Sequence, residues 1–339
     1  MNVEMQSSGT GQRIDRWLDR VRGLVDDEFG GRARSAVVSL LVKATEWGGK
    51  ATEWATRYPG VGSRLWCLEQ QRAIAAHDFT SAPTVVIYQM GKVASTAIHD
   101  ALHGRGVACF HTHRLSDAGI EATRAYYLAN GLRYLLPNLD ADLLLRRKLL
   151  ASGSKVDVVT LAREPIAHAL SVFLWHIDGQ FSKLDQDDQR RWPLILETLR
   201  QRFADFDGRT NHHANWFDTE LRAVFGVDVY AQPFPSRQGF TLLENDRARV
   251  LVLRYEDLDR AFAPGIESLL GMPNVVLPRT NTADEASRGE LARYLKANLA
   301  LTSEQCERIY GTRYAQHFYT QEERARLGAR WSNPATRGG

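Results

Sequence analysis

Val85-Val86-Ile87-Tyr88-Gln89-Met90-Gly91-Lys92-Val93-Ala94-Ser95-Thr96-Ala97-Ile98 is the stretch that decides how this chain folds. A short apolar run ends in a Gly-Lys turn, and two hydroxyl residues then open a segment whose spacing, Ile98 to Leu102, predicts a helix. Strand, loop and helix in that order gather free backbone N–H groups, a helix N-terminus, one ammonium and two hydroxyls around one anion-sized space. The expectation is a phosphate or sulfate cradle built from Gly91, Lys92, Val93, Ala94, Ser95 and Thr96. The stretch is not the nucleotide-triphosphate loop G-x-x-x-x-G-K-[ST], because Val86 stands at the first glycine position and Val93 follows Lys92. The hydroxyl that would hold magnesium is displaced, which points to an anionic donor used with no metal required.

Val156-Asp157-Val158-Val159-Thr160-Leu161-Ala162 is a second strand candidate running into Arg163-Glu164-Pro165. Proline suits a first helical turn, and Ile166, Leu170, Phe173, Leu174 and Ile177 continue with helical spacing. Arg163 falls at the carboxyl end of this strand and Ser171 lies eight residues later. Ligands of open α/β sheets bind beyond the carboxyl ends of the strands, so both elements are expected to face one crevice. Further strands are expected at Val107 to His111 and from Val250, where Val250-Leu251-Val252-Leu253-Arg254-Tyr255-Glu256-Asp257-Leu258 opens a third βα-like unit. Strands alternating with helices imply an α/β fold with a mostly parallel central sheet and helices on both faces.

The remaining sequence bounds the rest. The 339 residues suffice for one large α/β domain (83–320), preceded by a helical segment (1–82) and followed by a tail (321–339). Residues 117–152, Phe181 to Phe206, Glu285 to Leu299 and Ser303 to Tyr310 read as helical, and Trp331 to Gly339 as frayed. In the lead, helices are expected around 14–24, 35–54 and 63–77; such amphipathic faces can cap the main domain, build a homodimer or lie on a membrane surface. A net charge of +3 argues against nucleic-acid binding through a general basic field. Cys67, Cys109 and Cys306 are odd in number and widely spaced, which fits a reduced compartment. No run approaches a membrane span or a signal peptide, so a cytoplasmic location is expected.

Lys92 with Ser95 and Thr96, followed by Arg163 and, eight residues on, Ser171, resembles the sulfotransferases that use 3′-phosphoadenosine-5′-phosphosulfate. More narrowly, Tyr88-Gln89-Met90-Gly91-Lys92-Val93, Phe110-His111-Thr112-His113-Arg114-Leu115, Asn215-Trp216-Phe217 and His317-Phe318-Tyr319 are similar to a bacterial, sulfotransferase-like group of capsular polysaccharide synthesis proteins. Asn215-Trp216-Phe217-Asp218 departs from that group's Asn-Lys-Trp-Tyr-Ser signature. The resemblance implies a P-loop-like three-layer sandwich, the phosphosulfate as co-substrate and a carbohydrate hydroxyl as acceptor. Gly91 to Thr96 would then hold the 5′-phosphosulfate, and Arg163 and Ser171 the 3′-phosphate.

Such a transfer needs an acceptor base. His113 is the candidate and His111 the reserve, since histidine titrates near neutral pH. The resemblance supports a histidine on this segment, although His113 lies only 21 residues after Lys92 and 50 before Arg163, unlike the cytosolic enzymes. Period two also places Cys109, His111 and His113 on one strand face, which leaves a zinc site with His212 or His213 as an alternative. Arg163 has a bland alternative too, an ion pair with Glu164 or Asp178. Trp175, His176, Trp192, Trp216 and Phe217 are candidate sugar-stacking surfaces, with core or rim packing as the alternative. Two rival functions remain: a metal-dependent P-loop kinase of a small molecule, and a non-catalytic nucleotide- or glycan-binding protein.

Overall fold

The computed structural model describes residues 59–129, 135–177, 180–204, 212–278 and 285–333. The chain divides into two compact units, residues 1–69 and residues 70–339. The boundary falls earlier than the expected 82/83 because Ile74 and Phe79 are buried in the main hydrophobic cluster of the second unit. Helix α1 (Pro59–Ala76) matches the expected helix at 63–77. The helices expected at 14–24 and 35–54 lie outside the described residues.

The second unit is α/β. Its sheet is built from β1 (Val85–Tyr88), β2 (Cys109–Thr112), β3 (Val156–Ala162), β4 (Phe240–Glu244) and β5 (Ala248–Arg254), in the order β2-β1-β3-β5-β4. β1 pairs in parallel with β2 and β3, and β3 with β5; β4 alone runs antiparallel, at the edge. The three central strands are runs of Val, Ile and Leu because both their faces are covered, the pattern expected of buried parallel strands.

Register shows what covers each face. Ile87 pairs with His111 and Val159, and Val159 with Leu251, so these four share a face. On that face α2 (Ser95–His103) accepts a weak bond from the Cys109 thiol at the His99 carbonyl. α10 (Leu258–Leu270) lies there too: a Cβ on its Gly265 would stand 3.2–3.3 Å from Leu251 and Leu253. Tyr88 and Thr112 share the opposite face. There Thr112 bonds Asp142 of α4 (Leu136–Ser152), and Tyr88 packs edge-on against Trp216 of α8 (His212–Trp216). α8 runs on through a π-helical segment (Phe217–Arg222) into α9 (Ala223–Phe225).

Several boundaries differ from expectation. The second strand begins at Cys109 rather than Val107, and the helical reading of 117–152 is met by α3 (Asp117–Ala129) and α4. β3 and its successor α5 (Pro165–Trp175) fall where the sequence put them. The stretch 181–206 becomes α6 (Lys183–Asp187), a short 3₁₀ turn and α7 (Trp192–Ala204). α11 (Glu285–Asn298), α12 (Ser303–Tyr310) and α13 (Arg313–Phe318) follow. The expected C-terminal tail is corrected: α14 (Gln321–Ser332) is a capped helix with Trp331 buried in the second hydrophobic cluster. Among the described residues no helix is long and apolar enough to cross a membrane.

Candidate active site

The loop between β1 and α2 is anchored from below and strained above. Met90 and Val93 are wholly buried, so the residue after Lys92 is a core plug and not a metal-facing hydroxyl. Lys92 and Ala94 take left-handed backbone angles, φ 65° and 67°. That conformation costs a non-glycine residue about 1–2 kcal/mol, a strain that persists only where the surroundings over-determine it. Ala94 is the N-cap of α2 and offers no capping side chain, so the first N–H groups of the helix are left for another partner. Ser95 is buried in the first turn and Thr96 is exposed beside it.

Three side chains over-determine this loop by holding its carbonyls. His113 Nδ1 donates to the Gln89 carbonyl (2.7 Å), His168 Nε2 to the Gly91 carbonyl (2.8 Å) and Arg163 Nη1 to the Lys92 carbonyl (2.5 Å). In a planar trans peptide the N–H points opposite to the C=O. The N–H groups of Met90, Lys92 and Val93 are therefore turned away from the three tethers. The Gln89 side chain is wholly buried, with neither amide atom partnered among the described residues.

Arg163 is fixed at both ends. The Tyr314 hydroxyl accepts from its backbone N–H (2.7 Å) and donates to its carbonyl (2.8 Å), and its guanidinium lies 4.2 Å over the Tyr255 ring. Its Nε is buried with no partner among the described residues. The alternative ion pair with Glu164 gives way to a different arrangement. Glu164 turns inward and caps α5, accepting from the Ile166 and Ala167 N–H groups, the Tyr310 hydroxyl and Trp331 Nε1. Burial raises its carboxyl above the ordinary value against the pull of those donors. The N-terminus of α5 is thus filled by the chain itself, whereas that of α2 is open. Asp178 lies outside the described residues. Ser171 sits two turns along α5, half-buried. Trp175, the last residue of α5, is 60 % exposed, and Lys92 Nζ rests 4.3 Å over its ring.

The two histidines have separate surroundings. Because a carbonyl only accepts, the bond to Gln89 places the proton of neutral His113 on Nδ1 and makes Nε2 the acceptor. That nitrogen faces Gly91: a Cβ there would stand 3.9 Å from it, an ordinary van der Waals contact. The His113 carbonyl accepts from Trp216 Nε1 (3.2 Å). His111 packs edge-on against His113, 4.5 Å between ring centroids, and burial, then the His113 charge, holds its pKa well below the usual value. Burial also pushes the Cys109 thiol up to about 12. Among the described residues no three His, Cys, Asp or Glu side chains gather as a metal site; the side chains of His212 and His213 lie outside them.

Sequence reasoning missed His168, Tyr255, Tyr314 and Glu220. Glu220, in the π-helical segment, is buried and accepts from the Tyr88 hydroxyl, the Leu115 and Ser116 N–H groups (each 2.9 Å) and the Ser116 hydroxyl. It clamps the end of β1 to the turn after β2. Their only sequence trace was adjacency to quoted motifs. Asp257 of the Arg254-Tyr255-Glu256-Asp257 segment is bound to Arg254 and Arg260, an internal ion pair at the end of β5.

Residues 197–320 match the family model NKWYS, described as "Putative capsular polysaccharide synthesis protein". The match includes Trp216 and Glu220 and ends before α14; the β1 loop and Arg163 precede it. No curated protein and no solved structure matches the chain.

Proposed function

We propose that this protein is a P-loop-like sulfotransferase, moving a sulfuryl group from 3′-phosphoadenosine-5′-phosphosulfate to a hydroxyl, and that the acceptor is a carbohydrate. One observation carries the reading. Arg163 Nη1 bonds the Lys92 carbonyl, so the two motifs meet at the carboxyl ends of adjacent parallel strands. The glycan element comes from the matched family's description.

The residues fit an anionic donor of this kind. The open α2 N-terminus, a loop whose carbonyls are drawn away, the Lys92 ammonium and the unpartnered Arg163 Nε are all donors or cations. The donor supplies an activated sulfuryl group; the chain supplies charge balance, position and a proton acceptor. Lys92 leaves the Trp175 ring to neutralise charge on the departing phosphate oxygens, a contribution of ~10²–10³ in rate for a stabiliser of this type. Ser95, Thr96 and the loop N–H groups hold the 5′ side, and Arg163 with Ser171 the 3′ side. His113 Nε2 takes the acceptor's hydroxyl proton, a general-base contribution of ~10²–10⁴. A magnesium-dependent kinase is disfavoured because Val93 is a core residue and Asp257 is committed to two arginines.

The test is calorimetric titration of 3′-phosphoadenosine-5′-phosphate into the wild type, Lys92→Ala, Arg163→Ala and His113→Ala, with ATP plus magnesium as comparator. Binding of about −8 kcal/mol (micromolar), weakened in the first two variants, is expected. His113→Ala also frees the Gln89 carbonyl, and it should lose transfer by a larger factor than it loses nucleotide affinity. Tight ATP binding with indifference to the 3′-phosphate would refute the assignment.

A further inference from the structure

Of the three side chains that hold the loop carbonyls, His113 and Arg163 have tasks in the proposed chemistry and His168 has none. It is buried in α5 with 4 % exposure, and its Nε2 stands 2.8 Å from the Gly91 oxygen. Since the carbonyl only accepts, Nε2 carries the proton.

The value of this bond lies in where it acts. The backbone angles of Lys92 are set by the two peptide planes that flank its Cα. His168 holds the first through the Gly91 carbonyl, and Arg163 holds the second through the Lys92 carbonyl. Both come from the β3–α5 unit, so that unit clamps each side of a residue whose left-handed φ of 65° is otherwise disfavoured. Releasing either plane lets Lys92 relax and turns its N–H out of the array.

We infer that His168 is a positioning residue of the anion site: its Nε2–H bond to the Gly91 carbonyl locks Lys92 in the left-handed conformation and presents the loop N–H groups to a tetrahedral oxyanion, a sulfate or phosphate ester. The inference rests on the sulfotransferase reading for the anion's place within a larger donor, and on the loop geometry for the oxyanion itself.

Sulfate, inorganic phosphate and 3′-phosphoadenosine-5′-phosphate are titrated into wild type, His168→Leu and His168→Gln. Leucine removes the donor, and glutamine returns an amide N–H. All three ligands should weaken about tenfold or more in the leucine variant and return to within about threefold in the glutamine variant. A folded leucine variant that binds all three as wild type does would overturn the role. Nucleotide bound equally by both leaves the donor reading standing and removes His168 from it. Oxyanions lost in the leucine variant, with no wild-type preference for the nucleotide, keep the role and remove the donor reading. Should the leucine variant fail to fold, ¹⁵N-histidine NMR of the wild type in alkaline solution decides: a protonated Nε2 is expected, and a bare Nε2 overturns the role.

Discussion

Asp142 shows how a single buried carboxyl next to the site sets a pH dependence. It accepts from the Thr112 hydroxyl (2.7 Å) and from Arg114 Nε (3.4 Å). Burial pushes its pKa up to about 6, against the opposing pull of Arg114. The folded value therefore lies above the unfolded one, about 3.9, and the native state keeps a proton the unfolded chain has lost. The stability this brings is complete below about pH 4 and is lost as pH rises through about 6. Asp142→Asn fixes the neutral form. Urea unfolding should show it more stable than wild type above pH 7 by on the order of 1–3 kcal/mol, with the gain vanishing near pH 4. A gain largest in acid would contradict the assignment. At this scale the sequence was uneven. Lys92 and Arg163 stand out because each closely follows an apolar strand and the two fall in one ordered pair of motifs. His168 does not, because one histidine inside Ile166-Ala167-His168-Ala169-Leu170 is indistinguishable from a core residue until the loop carbonyl beside it is seen.

At the scale of elements, the β1–α2 connection is the strained one. Ala94 has φ 67° with no contribution from its methyl to capping. Glycine adopts that angle freely and is an acceptable N-cap. Ala94→Gly should therefore raise the thermal midpoint, the relief of about 1–2 kcal/mol being partly offset by the entropy of glycine. A lowered midpoint would mean that the left-handed angle is not present in solution. β1, β3 and β5 were legible because burial on both faces writes a mostly apolar run. β4 was not: Phe240-Thr241-Leu242-Leu243-Glu244 is an edge strand, covered only in part, and its mixed pattern carries no clear period. α13 is too short for a helical period to show, yet it delivers Tyr314 to Arg163.

For the whole molecule, the C-terminal helix is the unexpected structural member. Trp331 Nε1 reaches Glu164, the Trp331 carbonyl accepts from the Leu301 N–H (2.9 Å), and Glu323 pairs with buried Arg254 (2.9 Å). α14 thus supports the cap of α5 and the end of β5 together. A chain ending at Thr320, where the family match also ends, should lose cooperative unfolding and its near-ultraviolet dichroism; an intact, cooperative transition would show that α14 merely leans on the domain. The sequence concealed this because Gln321-Glu322-Glu323-Arg324-Ala325-Arg326 is mostly charged, and what ties the helix down is contributed by residues far away in the chain.

The π-helical segment from Phe217 to Arg222 has a consequence for how this chain can vary. A π turn carries one residue more than the α-helical turns on either side, so it works as a phase shifter between two grips: Trp216 on the carbonyl of His113, and Glu220 on the end of β1. Deleting any one residue there would restore an unbroken α-helix and rotate one grip by about 100° relative to the other. Only one of the two could then stay in place. The segment should accept altered letters far more readily than an altered count, and a length change of one would uncouple the turn that carries His113 from β1.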